Sequence, residues 1–230
     1  MKVLLGAVLA VGLLFSAVNV YAAEEVTLKT PKDKLSYIIG VQIGNDLKSQ
    51  SVDVDPVLVN KGMQDSIAGN KLLISDQEAK DIIAAYQKER AGKMAEEKKK
   101  LGEKNKQEGT AFLAANKKKE GVKTLPSGLQ YKVIKEGTGK TPKATDTVVT
   151  QYKGTLINGT EFDSSYRRNE PATFPVNGVI RGWTEALQLM KEGSKWEIVV
   201  PPELAYGEQG AGPIGPNATL IFEVELVSVK

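Results

Sequence analysis

The sequence contains neither histidine nor cysteine among its 230 residues. Ser-His-Asp and Cys-His nucleophiles both need an imidazole, so those classes of hydrolase are nearly excluded. Zinc and iron–sulfur sites normally take Cys or His ligands, and we therefore expect no metal and no other cofactor. Without cysteine, the fold is also indifferent to the redox state of its compartment. An enzyme of this composition must work through carboxylates, Lys, Tyr or the shape of its site.

The net charge is small, at +3, but basic residues are concentrated in residues 88–120, which carry eleven Lys/Arg against six Asp/Glu. The basic residues are interleaved with glutamates, and Phe112 is the one aromatic residue available there for base stacking. We therefore expect no nucleic-acid binding. A surface or membrane interaction led by Lys98, Lys99 and Lys100 stays open as an alternative.

One extended apolar run is present, at residues 3–18, after Met1-Lys2 and before Ala22-Ala23. This pattern is typical of a secretory signal peptide, which we place at residues 1–22 with cleavage after Ala22 or Ala23. An uncleaved membrane anchor is the alternative. The sequence predicts an exported protein of the periplasm, outer membrane or cell surface of a Gram-negative-type bacterium.

Helical periodicity follows in residues 23–120. Apolar residues from Leu35 to Leu47 recur at steps of three and four, which predicts an amphipathic helix. A second helix is predicted from an Asp55 cap to Gly69, and a third from a Ser75 cap to about Lys119. We assign residues 23–74 to an N-terminal helical domain and 75–120 to a long connecting helix. Its polar middle predicts a solvated stalk, and its glycines (Gly92, Gly102 and Gly109) predict bending or fraying.

The periodicity changes to strand-like alternation beyond residue 125. Strands are predicted at residues 129–134, 147–152 and 219–229, with a hairpin turn at Asn158-Gly159 and one short helix at 183–190. Alternation in the last strand predicts a sheet with one dry and one solvated face. The pattern therefore predicts a small α+β domain at residues 125–230, preceded by an all-α region.

Five segments of this domain match one family in order and in spacing. They are residues 152–156 (YKGTL), 159–165 (GTEFDSS), 178–183 (GVIRGW), 204–207 (LAYG) and 218–226 (ATLIFEVEL). The domain resembles the FKBP-type peptidyl-prolyl cis/trans isomerases from end to end. The upstream helices resemble the exported macrophage infectivity potentiator (Mip) branch, which implies a homodimer formed through the N-terminal helices. The resemblance implies a half-open antiparallel sheet wrapped around one short helix, with an apolar active-site hollow between them.

The resemblance also implies a set of site residues, of which Trp183 forms the floor of the hollow and Arg168 orients Asp163. As catalytic residues it implies Asp163, Tyr206, Tyr152, Phe162, Trp183 and Phe222. As substrate-binding residues it implies Phe174, Val179, Ile180, Ile214 and Arg168. Considered alone, the aromatic members would be interpreted as ordinary core residues. Ala172 stands where many small cytosolic relatives carry an aromatic residue, so one wall of the hollow is lower.

This residue set suits rotation about an X-Pro bond, because no covalent bond is made or broken and no nucleophile is needed. The predicted partners are prolyl segments of unfolded or exported proteins, with macrolides of the FKBP-inhibitor class as possible ligands. A binding module or chaperone that holds prolyl segments without catalysis is the alternative, and the two functions are compatible.

Overall fold

The computed structural model describes residues 27–230, so the predicted signal peptide at 1–22 lies outside the described residues. Helix α1 spans Pro31–Ser49 and begins with a reciprocal capping box between Thr30 and Asp33. Helix α2 spans Pro56–Ala68. Asp55 caps it by accepting a hydrogen bond from the backbone N–H of Val57 (2.7 Å), and Gly69 ends it in the left-handed conformation (φ 68°). Both predicted helices are confirmed.

The chain divides into two compact units between Ser75 and Asp76. Helix α3, Asp76–Asn116, opens the second unit and runs unbroken for 41 residues through Gly92, Gly102 and Gly109. The predicted fraying at these glycines is therefore wrong.

Two of the glycines in α3 are contact points with the rest of the second unit. Gly102 and Gly109 are buried. A Cβ at Gly102 would lie 3.4 Å from Pro216 Cβ, and one at Gly109 would overlap the hydroxyl of Thr219. The prediction of a solvated stalk is wrong for this part of the helix, because missing side chains let it approach the domain.

Seven antiparallel strands form one sheet in the second unit: β1 Val122–Thr124, β2 Gln130–Lys135, β3 Thr147–Leu156, β4 Glu161–Ser164, β5 Ala172–Pro175, β6 Lys195–Val200 and β7 Leu220–Val229. Their order in the sheet is β1-β2-β6-β7-β3-β4, with β5 also paired to β3. Strands β3 and β7, of ten residues each, lie at the centre of the sheet. They pair along their length, from Val148 opposite Val229 to Leu156 opposite Leu220. Two short helices accompany them, α4 at Ser165–Arg168 and α5 at Arg181–Leu187. This is the predicted α+β class with a half-open antiparallel sheet.

Helix α5 lies on the dry face of the sheet, and Trp183, Ala186 and Leu187 on it are buried. Gly182 permits this packing, because a Cβ there would lie 2.5 Å from Val200 Cγ1 of β6. Alternate residues of β7 complete the core at Leu220, Phe222, Val224 and Leu226. Burial of each large side chain contributes about 1.5–3 kcal/mol to folding.

The sequence predicts that the face of the sheet opposite the dry one is solvated. That prediction is only partly correct, because the end of α3 covers part of this face. The amide group of Asn116, at the end of α3, donates to Gln130 Oε1 of β2 (3.0 Å), and both side chains are buried. Gln130 Nε2 in turn donates to the carbonyl oxygen of Leu113 (2.9 Å). The C-terminal end of α3 is therefore fixed to the sheet.

The predicted hairpin is confirmed at Gly159 (φ 86°), which lies in the turn between β3 and β4. The short helix was predicted at residues 183–190 and instead begins at Arg181 and ends at Leu187. Strands β1, β5 and β6 were not predicted.

Candidate active site

A hollow of about 470 Å³ lies between the dry face of the sheet and α5. Strands β3, β4, β5 and β7, helix α5 and the segment after β6 each contribute to its wall. Its lining comprises Tyr152, Phe162, Asp163, Phe174, Gly178, Val179, Ile180, Trp183, Tyr206 and Phe222. Every lining residue except Gly178 belongs to the site set predicted from the sequence.

Trp183 lies at the centre of the aromatic wall and is only 4% exposed. The rings of Tyr152, Phe174 and Phe222 meet it nearly perpendicularly, with centroid distances of 5.2, 5.9 and 5.4 Å. Phe162 adds a further perpendicular contact with Phe222 at 5.5 Å. Each such edge-to-face pair contributes about 0.5–1.5 kcal/mol beyond burial. The wall is therefore both apolar and held in a defined geometry.

Gly154 on β3 sets the position of two of these rings. A Cβ on this residue would lie 2.6 Å from Phe162 Cζ and 2.8 Å from Phe222 Cε1, far inside the ordinary contact distance of about 3.5–4.0 Å. Phe162 and Phe222 occupy this space because Gly154 lacks a side chain. Gly154 lies within the 152–156 motif, but nothing in that motif indicated this role.

Asp163 supplies the charge at the hollow. Its Oδ2 accepts a hydrogen bond from the hydroxyl of Tyr152, and its Oδ1 accepts from Arg168 Nη1 and from the backbone N–H of Ser164 (2.8 Å). Arg168 Nη2 also donates to the hydroxyl oxygen of Tyr152 (2.9 Å). The pairing of Arg168 with Asp163 matches the prediction, and Tyr152 closes the pair into a three-residue network.

This network keeps the carboxyl group ionised. Burial opposes the charge on Asp163, but hydrogen bonds from Tyr152 and Arg168 outweigh it and lower the pKa of the carboxyl group. Burial raises the pKa of the Tyr152 phenol, and its hydrogen bond to Asp163 raises it further. Tyr152 therefore stays a neutral donor while Asp163 stays an anionic acceptor.

Two models of known families match the chain. Residues 138–227 match the FKBP-type peptidyl-prolyl cis-trans isomerase domain, and residues 32–133 match the domain amino-terminal to it. The outer membrane protein MIP of Legionella longbeachae is 51% identical over 91% of this chain and 90% of its own. The chain belongs to the FKBP-type peptidyl-prolyl cis-trans isomerases.

Other FKBP-type isomerases match over comparable lengths. The peptidyl-prolyl cis-trans isomerase Mip of Coxiella burnetii is 47% identical over 100% of this chain and 99% of its own. The crystal structure of FkpA from Escherichia coli superposes with a TM-score of 0.70 at 41% identity, covering 89% of this chain and 99% of that one. The match includes both the helical region and the sheet domain, so the family assignment applies to the whole described chain.

Tyr206 lies at the rim of this FKBP-type hollow and is 40% exposed. Among residues 27–230, no hydrogen bond engages its hydroxyl, so the group is available to a ligand. Two predicted residues are not among the lining residues. Ile214 is 6% exposed and packs in the domain core, and Arg168 is connected to the hollow through its hydrogen bonds to Asp163 and Tyr152. Gly178, which was missed, lies within the quoted 178–183 segment.

No group of three or more carboxylates within residues 27–230 is placed to hold a metal ion. The same range contains no helix that is both long and apolar enough to cross a membrane.

Proposed function

We propose that the aromatic hollow is the catalytic site of this isomerase and that it accelerates X-Pro rotation mainly by excluding water. The observation that carries the proposal is the arrangement around Trp183, where three perpendicular rings form a dry wall beside a single fixed anion, Asp163. A catalyst of bond rotation needs such a surface and needs no nucleophile.

The chemistry of the imide bond explains why dryness matters. The planar bond has a rotation barrier of about 18–20 kcal/mol, and its resonance places negative charge on the carbonyl oxygen. Twisting the C–N bond removes that resonance and much of the dipole. An apolar site therefore disfavours the planar form relative to the twisted one, which is preferential stabilisation of the transition state. A million-fold acceleration requires about 8 kcal/mol.

Two polar groups would fix the twisted geometry. Both line the hollow: Tyr206 has a hydroxyl that would donate to the substrate carbonyl, and Asp163 would place its charge beside the rotating bond. Arg168 and Tyr152 hold Asp163 in place through the network described above. Phe162, Phe174, Val179, Ile180 and Phe222 would bind the proline ring and its neighbours.

Substitutions in the full mature chain test these roles with a prolyl tetrapeptide isomerisation assay. We expect Tyr206→Phe and Asp163→Ala each to lower kcat/KM by about tenfold or more, as for the loss of one transition-state interaction. Tyr166→Phe is the matched control, because Tyr166 is also about 41% exposed but lies outside the hollow. Equal activity of Tyr206→Phe and Tyr166→Phe would remove Tyr206 from the mechanism.

We further propose that the mature protein is a homodimer formed through its N-terminal helices. Helix α1 has no buried residue, and three of its apolar side chains, those of Leu35, Ile38 and Ile39, are about half exposed. Helix α2 leaves Val57 and Ile67 at 74% and 88% exposure. Apolar surface of this extent on short helices favours burial against a second copy of the same surface.

Sedimentation of the mature chain tests the dimer. Leu35→Asp combined with Ile38→Asp should give a monomer at concentrations at which the unchanged chain is a dimer. Lys32→Asp, on the same helix, is the control for added negative charge and should stay dimeric. A monomeric unchanged chain would refute the dimer and leave the isomerase assignment untouched.

The proposed setting is a folding catalyst for exported proteins in the periplasm or at the cell surface, with residues 23–74 for dimerisation and 125–230 for catalysis. Paired domains also suit a chaperone that holds prolyl clients, and the hollow suits macrolides of the FKBP-inhibitor class.

The charges of α3 favour this setting over lipid binding, because Lys93, Lys100 and Lys104 pair with glutamates along the helix.

A further inference from the structure

The segment that carries Tyr206 has little conformational preference of its own. Residues 206–217 include Gly207, Gly210 and Gly212 in the left-handed conformation (φ 57°, 67° and 52°), and Asn217 shares that region (φ 53°). Glycine loses more conformational freedom on folding than any other residue. Ile214 anchors the middle of this loop in the domain core, and contacts at the ends of the loop add to the restraint on Tyr206.

The loop is closed on itself at its base. The backbone N–H of Asn217 donates to the carbonyl oxygen of Gly207 (2.8 Å), and that of Gly210 donates to the carbonyl oxygen of Tyr206 (3.2 Å). These bonds tie the end of the loop to the residue that follows Tyr206. Residue 217 is therefore one of two backbone partners of Gly207, the other being the carbonyl oxygen of Pro202, which accepts from the N–H of Gly207 (2.9 Å).

Helix α3 holds the same end of the loop. Asn105 Nδ2 donates to the carbonyl oxygen of Pro216 (2.8 Å), and Asn217 Nδ2 donates to the carbonyl oxygen of Gly102 (3.4 Å). Lys98 adds an exposed hydrogen bond to Gln209 (2.9 Å). The helix residues recur at steps of four and three, so they lie on one face of α3.

The helix is itself fixed to the sheet further along. Asn116 and Gln130 form the buried hydrogen bond described above, and Gly109 packs closely against Thr219 at the start of β7. The face of α3 from residue 98 to 116 is thus anchored to the sheet at one end and to the loop at the other.

We propose that Asn105 is a positioning residue for catalysis, which acts by holding the 206–217 loop so that Tyr206 faces the hollow. Nothing in the sequence motif of the isomerase domain marks this residue, because it belongs to the long helix upstream. The inference rests on the proposed role of Tyr206.

Asn105→Asp in the full mature chain tests it. Aspartate has the same shape, but its carboxylate cannot donate to Pro216. We expect kcat/KM for a prolyl tetrapeptide to fall about threefold to tenfold, mainly in kcat, as for the loss of one hydrogen bond. Asn105→Ala, which adds no charge, should give a loss of the same size. Lys100→Ala is the control, since Lys100 is exposed on α3 and pairs with Glu96.

A double-mutant cycle separates positioning from a general loss of structure. If Asn105 acts through Tyr206, then Asn105→Asp should cost less than about twofold in a Tyr206→Phe background. A loss that multiplies in full with Tyr206→Phe would overturn the inference, as would unchanged activity in both Asn105 variants. If Tyr206→Phe alone leaves kcat/KM unchanged, the proposed role of Tyr206 is wrong, and the role of Asn105 that depends on it is wrong as well.

Discussion

Gly154→Ala tests whether ring placement sets the activity of the hollow. The added methyl group would lie 2.6–2.8 Å from atoms of Phe162 and Phe222. Ordinary carbon contacts are about 3.5–4.0 Å apart, so the two rings must retreat by about 1 Å. Phe222 also meets Trp183 at a centroid distance of 5.4 Å, so the displacement reaches the floor of the hollow.

The added methyl group should affect both folding and activity. Overpacking costs about 1–3 kcal/mol, and alanine recovers about 0.5–1 kcal/mol relative to glycine inside a strand. The free energy of unfolding should therefore fall by about 2.5 kcal/mol or less. A misplacement of about 1 Å at a catalytic surface can cost about 100-fold in rate, so we expect kcat/KM to fall by about 10- to 100-fold.

A tetrapeptide isomerisation assay, with circular dichroism and thermal unfolding on the same samples, measures both effects. Gly92→Ala is the control for the glycine-to-alanine change, because nothing lies within 4 Å of a Cβ at Gly92. A folded Gly154→Ala protein with unchanged kcat/KM would refute the claim that this glycine places the rings for catalysis.

Other predictions concern protonation and the packing of α3. Because Arg168 and Tyr152 lower the pKa of Asp163, the stability of the network is present above the ordinary carboxyl pKa of about 3.9 and is lost as pH falls through the lower folded value. We therefore expect kcat/KM to be flat from about pH 5 to 8 and to fall below about pH 4, with the acid limb absent in Asp163→Asn; a midpoint between pH 5 and 8 would contradict this. Gly109→Ala should lower the thermal unfolding midpoint by overlap with Thr219, whereas Gly92→Ala should raise it through a helix gain of up to about 1 kcal/mol. If both substitutions raise the midpoint, the close approach at Gly109 is not a tight contact.

Local signals in the sequence accounted for the two ends of α2 and for the hairpin turn. Asp55 and Gly69 bound α2 because a side-chain acceptor and a left-handed glycine act within a few residues of chain. Strand β6 was missed although four of its six residues are buried, since its polar–apolar alternation extends over only Lys195 to Ile198 before two consecutive valines. The short strands β1 and β5 depend on pairing with longer neighbours.

The lining of the hollow was anticipated from the family resemblance, whereas the close contacts that glycines permit and the contacts of α3 were missed. Gly154 and Gly109 each leave space that a side chain would otherwise fill. Only the structure shows which neighbouring residues occupy that space. Asn105 looks like one more polar residue on a charged helix until its partner, Pro216, is known. Long-range contacts of this kind leave no periodic signal in a single sequence.

The two tryptophans of the chain give the protein a built-in optical probe. Trp183 lies in the floor of the hollow, so a bound ligand changes the environment of its indole. Trp196 is outside the hollow and stacks on Tyr131, with ring centroids 4.4 Å apart and planes 9° from parallel. Its emission should therefore be insensitive to the ligand. With Trp196 replaced by phenylalanine, intrinsic fluorescence becomes a direct binding titration of the hollow that needs no label and no turnover.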